Sequence, residues 1–140
     1  MGRDRRSDSV RAMSGERQTL NAPQAPEAIG PYSHAVRFGG LLWCSGQIPL
    51  DPSTGELTGA GAAEQAERCL QNLRAVCAAA GTSLERAVRM TVYMTDLAAF
   101  AEVNEAYGRF FDSEPPARVA IGVAALPRGA EVEIDAVVAL

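Results

Sequence analysis

Val88-Arg89-Met90-Thr91-Val92-Tyr93-Met94-Thr95-Asp96 is the stretch that decides the fold. Its side chains alternate with period two, Val88, Met90, Val92 and Met94 on one face and Arg89, Thr91, Tyr93 and Thr95 on the other. That is the pattern of a half-buried strand. Asp96 offers its carboxylate to free backbone N–H groups and is a good N-cap. It opens a helix over about Leu97–Phe111, with Leu97, Phe100, Val103, Tyr107, Phe110 and Phe111 forming an apolar face. Upstream, Ala62, Ala66, Cys69, Leu70, Leu73, Val76, Cys77 and Ala80 recur at three- and four-residue steps. They predict a helix over 62–80, stopped by Gly81 and carrying Glu64 and Arg68 as an i,i+4 pair on its outer side.

Before that helix, His34–Phe38 and Leu41–Ser45 read as two strands joined by Gly39-Gly40, since both turn positions can take positive φ. After the second helix, strands at Ala117–Ala125 and Glu131–Ala139 flank Pro127-Arg128-Gly129. The order β-β-α-β-α-β-β predicts an α+β sandwich, a mostly antiparallel sheet with two helices on one face. Two helices cover one face only. Strands 41–45 and 119–125 nevertheless offer apolar or small residues on both faces. The uncovered face exceeds what a lone soluble chain carries and is expected to be buried against other copies.

A chain of 140 residues suits one domain. Residues 1–19 are polar, charged and Ser-rich, and read as a disordered tail before a single domain at 20–140; Met13 is an alternative start. No apolar run approaches the ~20 residues of a membrane span, and Met1–Arg17 lacks the apolar core of a secretory signal. The expected address is cytoplasmic. All 13 basic residues are Arg, so lysine Schiff-base and P-loop chemistry are excluded. With one His, His34, and three scattered cysteines, neither a metal site nor a disulfide framework is expected. Cys69 and Cys77 read as small apolar fillers of the first helix. The net charge of −4, with Arg interleaved among acids, argues against a nucleic-acid partner.

Arg118 stands in Pro115-Pro116-Ala117-Arg118, at the mouth of the apolar run Val119–Leu126. Its guanidinium must reach water, an internal carboxylate such as Glu131 or Glu133, or an anionic ligand, and its fork of donors fits a carboxylate. Asn104 falls between Phe100 and Tyr107 on the apolar side of its helix, and serves either to pin that helix or to wall a cleft. Glu133 alternates with Val132 and Ile134 and points away from the core, as a solvated strand acid or as a carboxylate that orients water. Tyr32 reads as a lid over the core edge or as a wall of a small-ligand pocket. A Ser45–His34–acid triad is conceivable, yet nothing resembling a nucleophile elbow surrounds Ser45.

Taken together, Asn21-Ala22-Pro23, Ile29-Gly30-Pro31-Tyr32, Ser45-Gly46-Gln47-Ile48-Pro49, Gly55-Glu56-Leu57, Val103-Asn104-Glu105-Ala106-Tyr107, Pro116-Ala117-Arg118 and Val132-Glu133-Ile134 resemble, in order and spacing, the Rid/YjgF family of reactive-intermediate deaminases. The resemblance covers roughly residues 20–140. It implies a chorismate-mutase-like α+β sandwich assembled as a homotrimer with a ligand cleft at each subunit interface. It further implies hydrolysis of enamine/imine intermediates such as 2-aminoacrylate and 2-iminopropanoate to 2-oxo acids and ammonia, as in 2-iminobutanoate/2-iminopropanoate deaminases. By motif position, Arg118 would clamp the substrate carboxylate and Glu133 would position or activate water. Tyr32, Ser45 and Asn104 would line the cleft, with Tyr32 closing over the ligand. No cofactor or metal is implied. Many members carry Cys two residues after the arginine; here that substrate-binding position is Ala120. Two other readings remain, a non-catalytic metabolite-binding or chaperone-like trimer and a ribonuclease. The pairing of Arg118 with Glu133 favours the enzyme.

Overall fold

The computed structural model describes residues 15–140. The sheet strands are β1 (Gln18–Leu20), β2 (Ala35–Phe38), β3 (Leu41–Gln47), β4 (Ala87–Met94), β5 (Ala117–Gly122) and β6 (Val132–Ala139). Two helices, α1 (Ala62–Ala79) and α2 (Phe100–Gly108), intervene before β4 and before β5. The strands lie in the order β1-β2-β3-β6-β4-β5, antiparallel except for the parallel pair β4–β5. A parallel neighbour needs a crossover, and α2 supplies it.

One core joins the inward residues of both helices to one face of the sheet. The whole predicted stripe of α1, from Ala62 to Ala80, is buried in it. Cys69 and Cys77 are core fillers, as is Cys44 on β3. Helix α1 ends in a Schellman motif: Gly81, at φ 81°, donates to the Ala78 carbonyl, and Thr82 donates to that of Cys77. Gly39 and Gly40, at φ 66° and 77°, make the tight β2–β3 turn that their sequence predicts.

Several expectations change. A strand, Gln18–Leu20, begins inside the segment read as a tail, pairing Thr19 with Val36 and burying Gln18; residues 1–14 lie outside the described residues. Val88 does not share the buried face of Met90, Val92 and Met94. A register shift between Ala87 and Arg89 makes it a bulge residue, and it is exposed. The second helix starts as a 3-10 turn, Leu97–Ala99, where Asp96 accepts from the Ala98 N–H at 2.9 Å; the α-helix proper runs Phe100–Gly108. Glu64 turns back to the Ala60 N–H, and Arg68 bonds the Asn72 side chain. Asn72, fully buried, holds the loop after β3 by donating to the carbonyls of Ile48 and Leu50.

The helices leave the other sheet face open. Register partners on neighbouring strands point the same way. The chain Phe38–Leu41, Val36–Trp43, Trp43–Val137, Thr91–Asp135, Tyr93–Glu133 and Tyr93–Ile121 therefore lies on this open face. Phe38, Trp43 and Ile121 are each more than 40% exposed there.

Candidate active site

The predicted site residues fall into two groups on opposite sides of the sheet. Arg118 is the register partner of Met90, which is buried under the helices, so its side chain leaves β5 on the helix side. It reaches neither Glu131 nor Glu133. Its Nη1 donates to Asn104 Oδ1 at 2.6 Å, and the guanidinium lies over the rings of Tyr107 (4.8 Å to the centroid) and Phe100 (5.5 Å). Residues 100, 104 and 107 are steps of four and three on α2, so one helix face builds the whole cradle. Asn104 is itself exposed, although the sequence places it on the apolar side of its helix. The cation keeps its water and is held in one direction by stacking and one hydrogen bond. Ala120, partner of Val92, follows on the same side and is half-buried against the core. Burial pushes the Tyr107 phenol up to about 12, against the opposing effect of Arg118, and its hydroxyl has no hydrogen-bond partner among the described residues.

Glu133 occupies the open face. A β-bulge in β3 sets Ser45 and Gly46 together against β6, between the pairs Cys44–Ala136 and Gln47–Ile134. Glu133 folds over Gly46: a Cβ there would stand 2.6 Å from Glu133 Oε2. Only glycine leaves the carboxylate this room. Ile29, Tyr32, Ser45, Gly46, Ile48, Pro127 and Glu133 line a cleft of about 260 Å³. Burial first, and the neighbouring Asp135 second, raise the Glu133 pKa above the ordinary carboxylate value.

The loop that carries Tyr32 is tied down from behind. Asn21 Oδ1 accepts from the His34 N–H, His34 Nδ1 accepts from the Ala22 N–H at 2.9 Å, and His34 Nε2 donates to the Pro26 carbonyl at 2.8 Å. Tyr32 is exposed, and its hydroxyl accepts from the Ile29 N–H at 3.3 Å. Ser45 Oγ donates to the Ser33 carbonyl at 2.6 Å. With both His34 nitrogens engaged and the serine proton given to a backbone oxygen, a Ser–His triad is ruled out. A larger hollow, about 610 Å³, lies beneath the same loop and is lined by Glu27 and by His34, whose two ring nitrogens are both paired; the smaller cleft holds Glu133.

Strand β4 separates β5 from β6. Arg118, level with Met90, and Glu133, level with Tyr93, therefore stand two strand spacings across and three residues along the sheet from one another, roughly 14 Å between backbones, and on opposite faces. Each half of the site is well formed, and a single copy does not bring them together.

The family model described as Endoribonuclease L-PSP matches residues 22–140. The RutC family protein y4sK of Sinorhizobium fredii is 51% identical over 123 residues, covering 88% of this chain and 98% of its own. The mouse 2-iminobutanoate/2-iminopropanoate deaminase is 45% identical over 121 residues, 86% of this chain and 90% of its own. The crystal structure of TdcF from E. coli with bound serine superposes with a TM-score of 0.83 at 40% identity, covering 88% of this chain and 98% of that one.

The chain belongs to the Rid/YjgF family.

Its α+β fold is that of solved Rid and L-PSP structures. Within this Rid chain, the structure groups the expected Arg118 with Asn104, and Glu133 with Ser45 and Tyr32; three neighbouring parts are not singled out by the sequence. Phe100 and Tyr107 were read only as core, although their spacing around Asn104 carries the signal. Gly46 was read only as part of a motif; its role depends on a contact with a distant strand. Ile48, in the same motif, and Pro127 give no sign in the sequence that they line a cleft.

Among the described residues no helix is long and apolar enough to cross a membrane, and no cluster of three or more His, Cys, Asp or Glu side chains is placed to hold a metal.

Proposed function

We propose that this chain is a 2-iminobutanoate/2-iminopropanoate deaminase-type hydrolase, acting as a cytoplasmic homotrimer on small imino acids. The observation that carries the reading is the division of the site: a free, pre-oriented guanidinium on the helix side and a desolvated carboxylate in a small cleft on the other. A three- or four-carbon substrate cannot span both in one copy. Across an interface between copies, Arg118 of one would face Glu133 of the next. The exposed Phe38, Trp43 and Ile121 of the open face support such an assembly, because a cyclic arrangement removes them from water. The deaminase name of the mouse relative and the amino acid bound by TdcF support the substrate class.

In this reading Arg118 holds the substrate carboxylate with two parallel hydrogen bonds, braced by Asn104. Ala120 lies beside it without a thiol. Tyr32 and Ser45 flank the substrate carbon chain. Glu133 takes a proton from water as the oxygen adds to the iminium carbon, then returns it to nitrogen. As the C–N bond breaks, Glu133 takes the remaining hydroxyl proton, a C=O bond forms and ammonia leaves, carrying that proton away as ammonium. The iminium is already electrophilic, so position and one acid–base group suffice. The carboxylate is suited to both steps because its raised pKa brings its two protonation states closer to neutral pH.

The ribonuclease description attached to the family has less support here: the chain carries net charge −4, and the site offers a single guanidinium.

Subunit mixing tests the reading. Arg118→Ala and Glu133→Gln are each expected to lose turnover of enzymatically generated 2-iminopropanoate. Refolded together, they form some interfaces with Arg118 from one copy and Glu133 from the other. Recovery of roughly a quarter of wild-type activity is expected from random cyclic assembly. No recovery in mixed oligomers would overturn the shared site. Binding of 2-oxo acids without faster ammonia release by the wild type would favour the metabolite-binding reading.

A further inference from the structure

Glu133 is not the only carboxylate on its strand face. Asp135 lies two residues on and points the same way, about 7 Å along β6, within the range over which surface charges interact. Its position is held. Tyr93, the register partner of Glu133, donates its hydroxyl to Asp135 Oδ2 at 2.7 Å. A phenol donating to a carboxylate at this distance is a strong, directional contact. The bond to Asp135 is also the main cause of a raised Tyr93 pKa, so the phenol stays a donor.

We propose that Asp135, anchored by Tyr93, is a positioning residue that governs how readily Glu133 gives and takes a proton. The inference rests on the reading of Glu133 as the proton-transfer group. Charge and geometry agree: after burial, the nearby negative charge of Asp135 also favours the protonated form of Glu133. The other charged groups around the patch are accounted for. Glu131 is engaged by Gln65 of α1; β3 presents Trp43, Ser45 and Gly46 and β5 presents Val119 and Ile121, none of them ionisable in this range; Arg89 shares the open face two residues before Thr91, the register partner of Asp135, and its charge opposes that of Asp135. Across the sheet, Cys69 of α1 is kept a neutral thiol by burial. Without the Tyr93 anchor, Asp135 would turn to solvent and its influence would be screened.

The test compares wild type, Asp135→Asn and Tyr93→Phe, free of ligand, by carboxyl NMR titration of Glu133 and by the pH profile of kcat/KM. Asparagine keeps an acceptor for Tyr93 and removes the charge. Glu133 is expected to titrate roughly half a pH unit or more lower in Asp135→Asn, and the acid limb of kcat/KM is expected to move by the same amount. Tyr93→Phe keeps both carboxylates and is expected to move both readings in the same direction by less; it gives the same test if Asp135→Asn fails to fold. An unmoved Glu133 titration in the folded variants overturns the proposal. A Glu133 titration that moves while the acid limb stays in place supports the coupling and instead overturns the proton-transfer role of Glu133.

Discussion

The two halves of the site solve opposite problems. On the helix side, Arg118, the proposed carboxylate clamp, remains exposed while Asn104, Tyr107 and Phe100 fix its direction. On the open face, Glu133, the proposed proton-transfer group, is half-buried over Gly46 with Asp135 beside it. A guanidinium loses too much when desolvated, whereas a carboxylate becomes a useful acid–base group because it is desolvated. The comparison teaches what the sheet does: it holds the two on opposite faces, so within one copy they do not close on one another as an ion pair.

The sharpest way to break this comparison is to remove the cation. Arg118→Ala is expected to lower turnover of 2-iminopropanoate about 10³-fold, while light scattering and thermal melting stay unchanged, since the side chain is exposed. Lysine at the same position is expected to rescue poorly, because an ammonium lacks the two-pronged donor set. Wild-type turnover in Arg118→Ala would reduce the residue to a surface cation stacked on a helix.

Removing the acid comes next. Glu133→Gln is expected to cost about 10²-fold in kcat while pyruvate affinity, measured by calorimetry, changes little. The pH dependence follows in sign. A raised pKa in Glu133 means the base form is lost at a higher pH than for an ordinary glutamate, so kcat/KM should fall on the acid side with a midpoint above the usual 4.5. A limb at or below that value would show that the acid is more solvated than its cleft implies.

Gly46→Ala sharpens the account of how the acid is aimed. The new Cβ meets the flexible end of the Glu133 side chain, so the carboxylate moves and the sheet stays folded. A roughly 10-fold loss of kcat with normal thermal stability is expected, on the scale of a small misplacement of a reacting group. A large drop in melting temperature instead would make Gly46 a backbone requirement of the bulge. The smallest effect belongs to Asn104→Ala. It frees Arg118 from one hydrogen bond and is expected to raise KM about five- to tenfold, corresponding to about 1 kcal/mol, with kcat nearly kept.

Much of this was legible in the chain. The strict alternation of Met90, Val92 and Met94, the three- and four-step stripe of α1, and the Gly39-Gly40 and Gly81 stops are local signals with local causes, and the structure has them all. Val88 was misplaced because a bulge is a mismatch between two strands, and nothing in one strand announces it. The strand Gln18–Leu20 was missed because three polar-flanked residues have no periodicity; only the exposed edge of β2 makes them a strand.

The sequence by itself determined the elements, the apolar side of each and the residue types able to bind a carboxylate and move a proton, because these follow from backbone periodicity and side-chain chemistry. Tertiary structure alone decided that Arg118 and Glu133 leave opposite faces, that Gly46 makes room for a carboxylate eighty-seven positions away in the chain, and that Asp135 is tied to Tyr93. Those facts depend on strand order and register, which are set by how distant segments pair and pack, and no single segment carries them.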